Sequence, residues 1–150
     1  METVKLNIPA RYKKTEVKDI PKAIIKTLDD MQKSRKGIFL HGAVGSGKTH
    51  IAYAMMKYVR LEKGIFVRVY NSTDFLERIR KSYDDKDDNF LEDLISFKGL
   101  LIVDDIGAER MTDWVSEQFY ILINKKYNDM IPMVFTSNHN LSQLSEKVGE

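Results

Sequence analysis

Gly42-Ala43-Val44-Gly45-Ser46-Gly47-Lys48-Thr49 fits the phosphate-loop spacing G-x-x-x-x-G-K-[ST] at every fixed position. It constrains the fold more tightly than any other stretch, because the pattern works only between a strand and a helix. A triphosphate is held by a loop that turns successive backbone N–H groups inward, in conformations that Gly42, Gly45 and Gly47 reach at no steric cost. The helix that follows adds its unpaired N–H groups and positive dipole end. Lys48 would reach the β- and γ-phosphates, and the Thr49 hydroxyl is of the type that ligates a bridging magnesium.

Both neighbours are present in the sequence. Gly37-Ile38-Phe39-Leu40-His41 has the length and apolarity of a strand. From Lys48 onward, Ile51, Ala52, Met55 and Val59 fall on one face of a helix. The stretch from Gly42 to Thr49 therefore reads as a nucleotide-binding loop in an α/β fold.

Three further apolar runs repeat the alternation. Ile65-Phe66-Val67-Arg68-Val69-Tyr70 follows Gly64 as a second strand, Leu100-Leu101-Ile102-Val103 as a third, and Met133-Val134-Phe135-Thr136 as a fourth. The third is continuously apolar, as in strands covered on both faces. Between them lie helical patterns: Ile20, Ile24, Leu28 and Met31 before the basic Lys33-Ser34-Arg35-Lys36; Phe75, Leu76, Ile79 and Tyr83 after a cap at Ser72 or Thr73; a short helix over 90–97. Val115, Phe119, Leu122 and Ile123 follow a cap at Thr112 or Asp113, and a last short helix is expected over 141–148. Strands alternating with helices at this spacing mean right-handed β-α-β units and a parallel sheet flanked by helices. Residues 1–19 hold Pro9 and no sustained period, so they read as a lead-in lying along a single domain over 20–150.

Composition removes several alternatives. There is no cysteine, which excludes disulfides, zinc ribbons and thiol chemistry. Hydrophobic content of 43% against 31% charged residues is too apolar for disorder. A net charge of +2 neither favours nor opposes a nucleic-acid partner, since clustering on one face is what matters. The first residues lack the apolar core of a signal peptide, and no apolar run approaches a membrane span. The expectation is a cytoplasmic protein without a membrane partner.

In a parallel sheet ligands collect at the carboxyl ends of the strands. The third strand ends in Asp104-Asp105, and four apolar residues followed by an acid form the usual partner of a phosphate loop. Asp104 is placed to hold magnesium opposite Thr49, directly or through water, and Asp105 to act as general base on the attacking water. A helix cap or turn is the other reading of that pair. The fourth strand ends in Thr136-Ser137-Asn138. Asn138 could donate to the γ-phosphate and accept from the water, or simply form a turn. His41, His50 and His139 have no metal-ligand spacing, and Trp114 and the pair Met55-Met56 read as packing residues.

The sequences Gly-Ala-Val-Gly-Ser-Gly-Lys-Thr-His from Gly42, Leu-Leu-Ile-Val-Asp-Asp-Ile-Gly-Ala-Glu from Leu100, Thr-Asp-Trp from Thr112 and Phe-Thr-Ser-Asn from Phe135 resemble the AAA+ ATPase core of bacterial and phage replicative helicase loaders, the DnaC and DnaI type within the IstB-like superfamily. The resemblance runs from Ile8-Pro9 to the last residue. It implies a three-layer P-loop NTPase fold with the fourth strand between the first and third. It implies ATP and Mg2+ as cofactors, with the nucleotide held by Gly42 to Thr49 and His50, the metal by Thr49 and Asp104, and catalysis by Asp105 and Asn138. It also implies single-stranded DNA contact by the helix after the second strand, where Arg78, Arg80 and Lys81 could meet phosphates and Tyr83 offers a stacking face. A replicative DNA helicase, single-stranded DNA and self-association through the ATP site are the partners implied.

Family members carry an N-terminal domain that grips the helicase, and beyond the position of Glu150 they continue with an arginine for the neighbouring subunit's ATP, a fifth strand and a sensing arginine. None is in these 150 residues. The C-terminal part of the module is thus expected to be missing, with hydrolysis a property of the full-length assembled protein and weak or absent in this chain. An IstB-type transposition helper shares the same motifs. A small-molecule phosphotransferase would need an arginine-rich lid, and a GTPase would need a strand followed by Asn-Lys-x-Asp, whereas Asn124-Lys125-Lys126-Tyr127 falls inside a helix. A plain DNA-binding module would bind DNA indifferently to nucleotide.

Overall fold

Four apolar runs become four parallel strands: β1 (Ile38–His41), β2 (Val67–Asn71), β3 (Leu100–Ile106) and β4 (Met133–Ser137). They pair in the order β1-β4-β3-β2, so the last strand lies between the first and the third. The computed structural model describes residues 8–42, 47–107 and 112–140, with Tyr83 and Val115 described by backbone alone. The helix expected over 141–148 lies outside the described residues.

Each strand face has its own helices. Leu100 and Ile102 of β3 enter one core with Leu28 and Met31 of α1 (Lys22–Ser34) and Ala52, Met55 and Val59 of α2 (Lys48–Lys63). Leu101 and Val103 enter the other, with Phe75, Leu76 and Ile79 of α3 (Ser72–Asp84), Leu94 of α4 (Phe90–Ser96) and Phe119 and Leu122 of α5 (Asp113–Asn128). This alternation explains why β3 is apolar at successive positions: both faces are covered. Met55 and Met56 are buried, and Trp114 packs on the second core, as packing residues do. Among the described residues no helix is long and apolar enough to cross a membrane.

Several expected boundaries move. β2 begins at Val67 rather than Ile65, and β3 continues through Asp104 and Asp105 to Ile106. The α3 cap is Asn71, whose Oδ1 accepts from the Thr73 N–H at 3.0 Å, and not Ser72 or Thr73. Ser72 is the first helical residue, and its buried hydroxyl donates to the Asp105 carbonyl at 2.7 Å.

On α5 the inward row is Phe119, Leu122 and Lys126, while Ile123 is 41% exposed. Positions 119, 122 and 126 are one helical stripe, and Ile123 falls beside it. Lys126 is turned inward, its Nζ donating to the Phe97 carbonyl and lying 5.7 Å from the centre of the Phe97 ring. Burial first, then the nearby Lys98, lowers its pKa to about 8. The unfolded lysine keeps a value near 10.4, so between about pH 8 and 10.4 the unfolded chain binds more protons and stability rises with pH. The unfolding free energy from urea titration should therefore rise from pH 7 to pH 10 by an amount, on the order of 1 to 3 kcal/mol, that Lys126→Met abolishes. An identical pH dependence in the variant would show that the buried amine is not the source.

The lead-in is two 3₁₀ turns, Ala10–Tyr12 and Val17–Asp19, with Ile8 and Ile20 buried in the first core. One stripe of α2 holds it. His50 Nε2 meets Asp19 Oδ2 at 2.9 Å, the Tyr53 ring stacks on Tyr12 at 5.1 Å between centres, and Lys57 Nζ donates to the carbonyls of Lys13 and Thr15.

Candidate nucleotide site

The strand-to-helix turn is built from its ends. β1 delivers Gly42, whose N–H donates to the Ser137 carbonyl at 3.2 Å, and the chain re-enters helix at Gly47, which caps α2 with φ 84°. Only glycine takes that conformation without a Cβ penalty. Ala43, Val44, Gly45 and Ser46 lie outside the described residues. Lys48 is buried to 9% exposure, and its Nζ donates to the Gly42 carbonyl at 2.8 Å, across the mouth of the loop. Thr49 Oγ1 donates to Asp104 Oδ2 at 2.8 Å, joining the first turn of α2 to the end of β3.

Asp104 and Asp105 follow one another in a strand, so regular pleating would send them to opposite faces. A bulge prevents this. Val103 pairs with Phe135 and Ile106 with Ser137, three steps along β3 against two along β4. The extra residue is absorbed at Asp105, which has φ 63°, a left-handed conformation unusual outside glycine, asparagine and aspartate. Side chains hold the bulge: the Asp105 N–H donates to Thr136 Oγ1 at 2.8 Å, Thr136 Oγ1 donates to Asp104 Oδ1, and Ser137 Oγ donates to the Ile106 carbonyl at 2.6 Å. Both carboxylates then line one cavity, with Asn138 Nδ2 at 3.4 Å from Asp105 Oδ1.

That cavity has a volume of about 450 Å³ and brings together Lys48, Thr49, His50, Asp104, Asp105 and Asn138. It also contains Arg11 and Tyr12, which reading the sequence missed. The only local signal for them was the Pro9 that opens their turn; a three-residue 3₁₀ turn carries no hydrophobic period. His50 is drawn toward Asp19, whose carboxyl is held below the usual range by the Glu16 N–H and then by His50. Burial, and next the Asp104 charge, raises the Tyr53 phenol.

An all-oxygen pair such as Thr49 and Asp104 suits a hard cation like magnesium. Among the described residues no three histidine, cysteine or acidic side chains gather as a metal cage. A cation here would take its remaining oxygens from a nucleotide and water, as magnesium in phosphate-loop sites does.

The α3 residues singled out for DNA differ in availability. Arg78 is paired with Asp88 and stacks over Phe90 at 4.7 Å, Lys81 is exposed, and the Tyr83 side chain lies outside what is described. Arg80 lies over Trp114 at 5.8 Å.

A parallel sheet with a glycine-capped helix after its first strand, facing a threonine-carboxylate link and a second acid at the end of the third strand, defines the P-loop nucleoside-triphosphate-binding class. The match to known families agrees. Residues 6–150 match the family described as "IstB-like ATP binding protein", and the chain belongs to that family. The replicative helicase loader DnaI of Bacillus subtilis is 27% identical over 110 residues, 73% of this chain and 35% of DnaI. The crystal structure of the DnaC helicase loader superposes with a TM-score of 0.80 at 26% identity, covering 95% of this chain and 91% of that one. The replication initiator DnaA bound to AMPPCP and single-stranded DNA shares the fold, with a TM-score of 0.76 at 20% identity over 88% of this chain and 44% of that one. The chain thus spans about a third of the length of DnaI.

Proposed function

We propose that the chain is the ATP-binding core of a DNA replication protein that loads a replicative helicase onto single-stranded DNA, with nucleotide state controlling its assembly. The observation that carries the nucleotide part is the convergence of Lys48, the Thr49–Asp104 link, Asp105 and Asn138 on one cavity. The similarity to DnaI and DnaC supports the loader part.

The residues divide the work by chemistry. The N–H groups at the start of α2 and the Lys48 ammonium bind the phosphates. Thr49 and Asp104 are the residues that would hold Mg2+, which when bound supplies charge neutralisation to the β- and γ-phosphate oxygens. Asp105 accepts the proton of the attacking water, and Asn138, within reach of Asp105, orients that water against the γ-phosphate. Arg11, exposed on the cavity wall, and Tyr12, fixed by Tyr53, face the part of the nucleotide away from the loop. Single-stranded DNA contact by α3 falls first to Lys81, since Arg78 must leave Asp88 to reach a phosphate.

A second reading is an IstB-type transposition helper, favoured by the description of the matched family. Affinity capture of the full-length protein from its host, with and without ATP, separates the two. A replicative helicase retained in a nucleotide-dependent way is the expected result. Retention of a transposase establishes the second reading, and retention of neither removes both.

A further inference from the structure

The end of the sheet opposite the nucleotide cavity carries its own charge pattern. Strand order places the residues that lead into β1, β4, β3 and β2 in one row: Lys36-Gly37, Ile131-Pro132, Lys98-Gly99 and Ile65-Phe66. Three strand spacings make that row about 15 Å long. Two depressions open on it. A groove of about 610 Å³ is walled mostly by apolar side chains such as Ile38, Phe39 and Met130, with Arg35, Lys36 and Tyr127 also lining it, and a smaller one of about 150 Å³, again mostly apolar, takes in Arg35, Lys63, Lys98 and Pro132. Arg35 and Pro132 line both, so the two adjoin.

Cations outnumber acids along this surface. Arg68 stacks on the Phe97 ring at 4.2 Å from one side of the row, beside the buried Lys126. Burial first, then Lys98 and more weakly Arg68, lower the Lys126 pKa, with Asp129 opposing them. The acids that face these cations are Asp29, already bridged to Lys63 at 2.8 Å, and Asp129, beside Lys126. Arg35, Lys36, Arg68 and Lys98 have no acidic partner among the described residues. Cations in the last turns of α2 and α5 answer the negative ends of those helices. That need does not account for Arg68, inside β2, or for Lys36, beyond the end of α1. Aromatic rings stand at the two ends of the row: Phe66 is 67% exposed with the Arg60 guanidinium 4.5 Å from its centre, and Tyr127 is 79% exposed.

We infer that this foot of the sheet is a docking surface for single-stranded nucleic acid, its phosphates tracking Arg35, Lys36, Lys98 and Arg68 and its unpaired bases stacking on Tyr127 and Phe66. A row of exposed cations beside a concavity, with aromatic faces at its ends, is suited to unpaired strands with little sequence preference. An anionic membrane would instead call for an amphipathic helix laid flat. The surface is separate from α3 and from the nucleotide cavity, so it stands whether or not the loader reading does.

The test is fluorescence anisotropy of the full chain with a labelled oligothymidylate of about 15 nucleotides. The triple variant Arg35→Glu, Lys36→Glu, Lys98→Glu should bind at least tenfold more weakly. Its slope of log affinity against log salt should fall by about 2, the share of three phosphate contacts on a single strand. Phe66→Ser with Tyr127→Ser should lose about thirtyfold or more at an unchanged slope. Unchanged affinity for an ATP analogue in both variants shows that the fold and the nucleotide site are intact. Wild-type affinity in the triple variant overturns the inference, as does absence of oligothymidylate binding by the wild type. It also fails if Lys81→Glu alone removes all binding, or if the triple variant loses only binding to phosphatidylserine vesicles.

Discussion

Lys48→Ala lowers ATP affinity by about 100-fold, measured by titration calorimetry or by a fluorescent ATP analogue. The ammonium is within hydrogen-bond reach of the loop's first carbonyl and nearly excluded from water. Among the described residues it is the only lysine lining the cavity. Two charge-assisted hydrogen bonds to phosphate at about 1.5 kcal/mol each amount to about 3 kcal/mol, or two factors of ten. Truncation also strips the Gly42 carbonyl of this donor, but Gly42 is only partly buried, so water can take the place of the ammonium. The fold should survive, because Lys48 begins a helix whose apolar face starts at Ile51 and Ala52. Affinity within a factor of about 3 of the wild type, in a variant with normal circular dichroism, would remove the nucleotide site from this loop.

Asp105→Asn keeps ATP binding and lowers hydrolysis by the full-length protein by about 100-fold or more, the usual contribution of a positioned general base. Asparagine is the appropriate replacement for a structural reason. Asp105 occupies φ 63°, and asparagine tolerates the left-handed region while most residues do not. The bulge is held through the Asp105 backbone, by Thr136 from one side and Ser72 from the other, so the side chain can change without releasing it. Single-turnover hydrolysis and analogue affinity, measured on the same preparation, separate chemistry from binding. An unaffected rate would take the base role away from Asp105.

The sheet and its helices were legible because their signals are local and repeated: apolar runs of strand length, helical stripes between them, and glycine where the chain turns at Gly47 and Gly64. The phosphate loop and Asp104-Asp105 were legible because their chemistry admits few residue types. What was missed depends on long-range partners. Asn71, Ser72 and Thr73 can all cap a helix, and the choice fell to Asn71 because the Ser72 hydroxyl is taken by the Asp105 carbonyl thirty-three residues away. Hydrophobicity chose Ile123 for the inward row, but Lys126 takes that place, bonded to the Phe97 carbonyl. Arg11 and Tyr12 reach the cavity only because His50, Tyr53 and Lys57 bind the lead-in along α2, a contact no local pattern announces. The β3 bulge appears only in its register against β4.

Parallel strands also give the molecule two poles of opposite use. The seven residues of β3 span about 23 Å from the foot to Asp105 and Ile106. At physiological ionic strength the Debye length is about 8 Å, so a triphosphate at one end of the strands exerts little force on a polyanion at the other. Rigid struts keep the two ligands apart, and the charge of one does not tax the affinity of the other. Both ends can therefore be filled at the same time. Any dependence of foot binding on nucleotide must then travel through rearrangement of the chain rather than through its electric field.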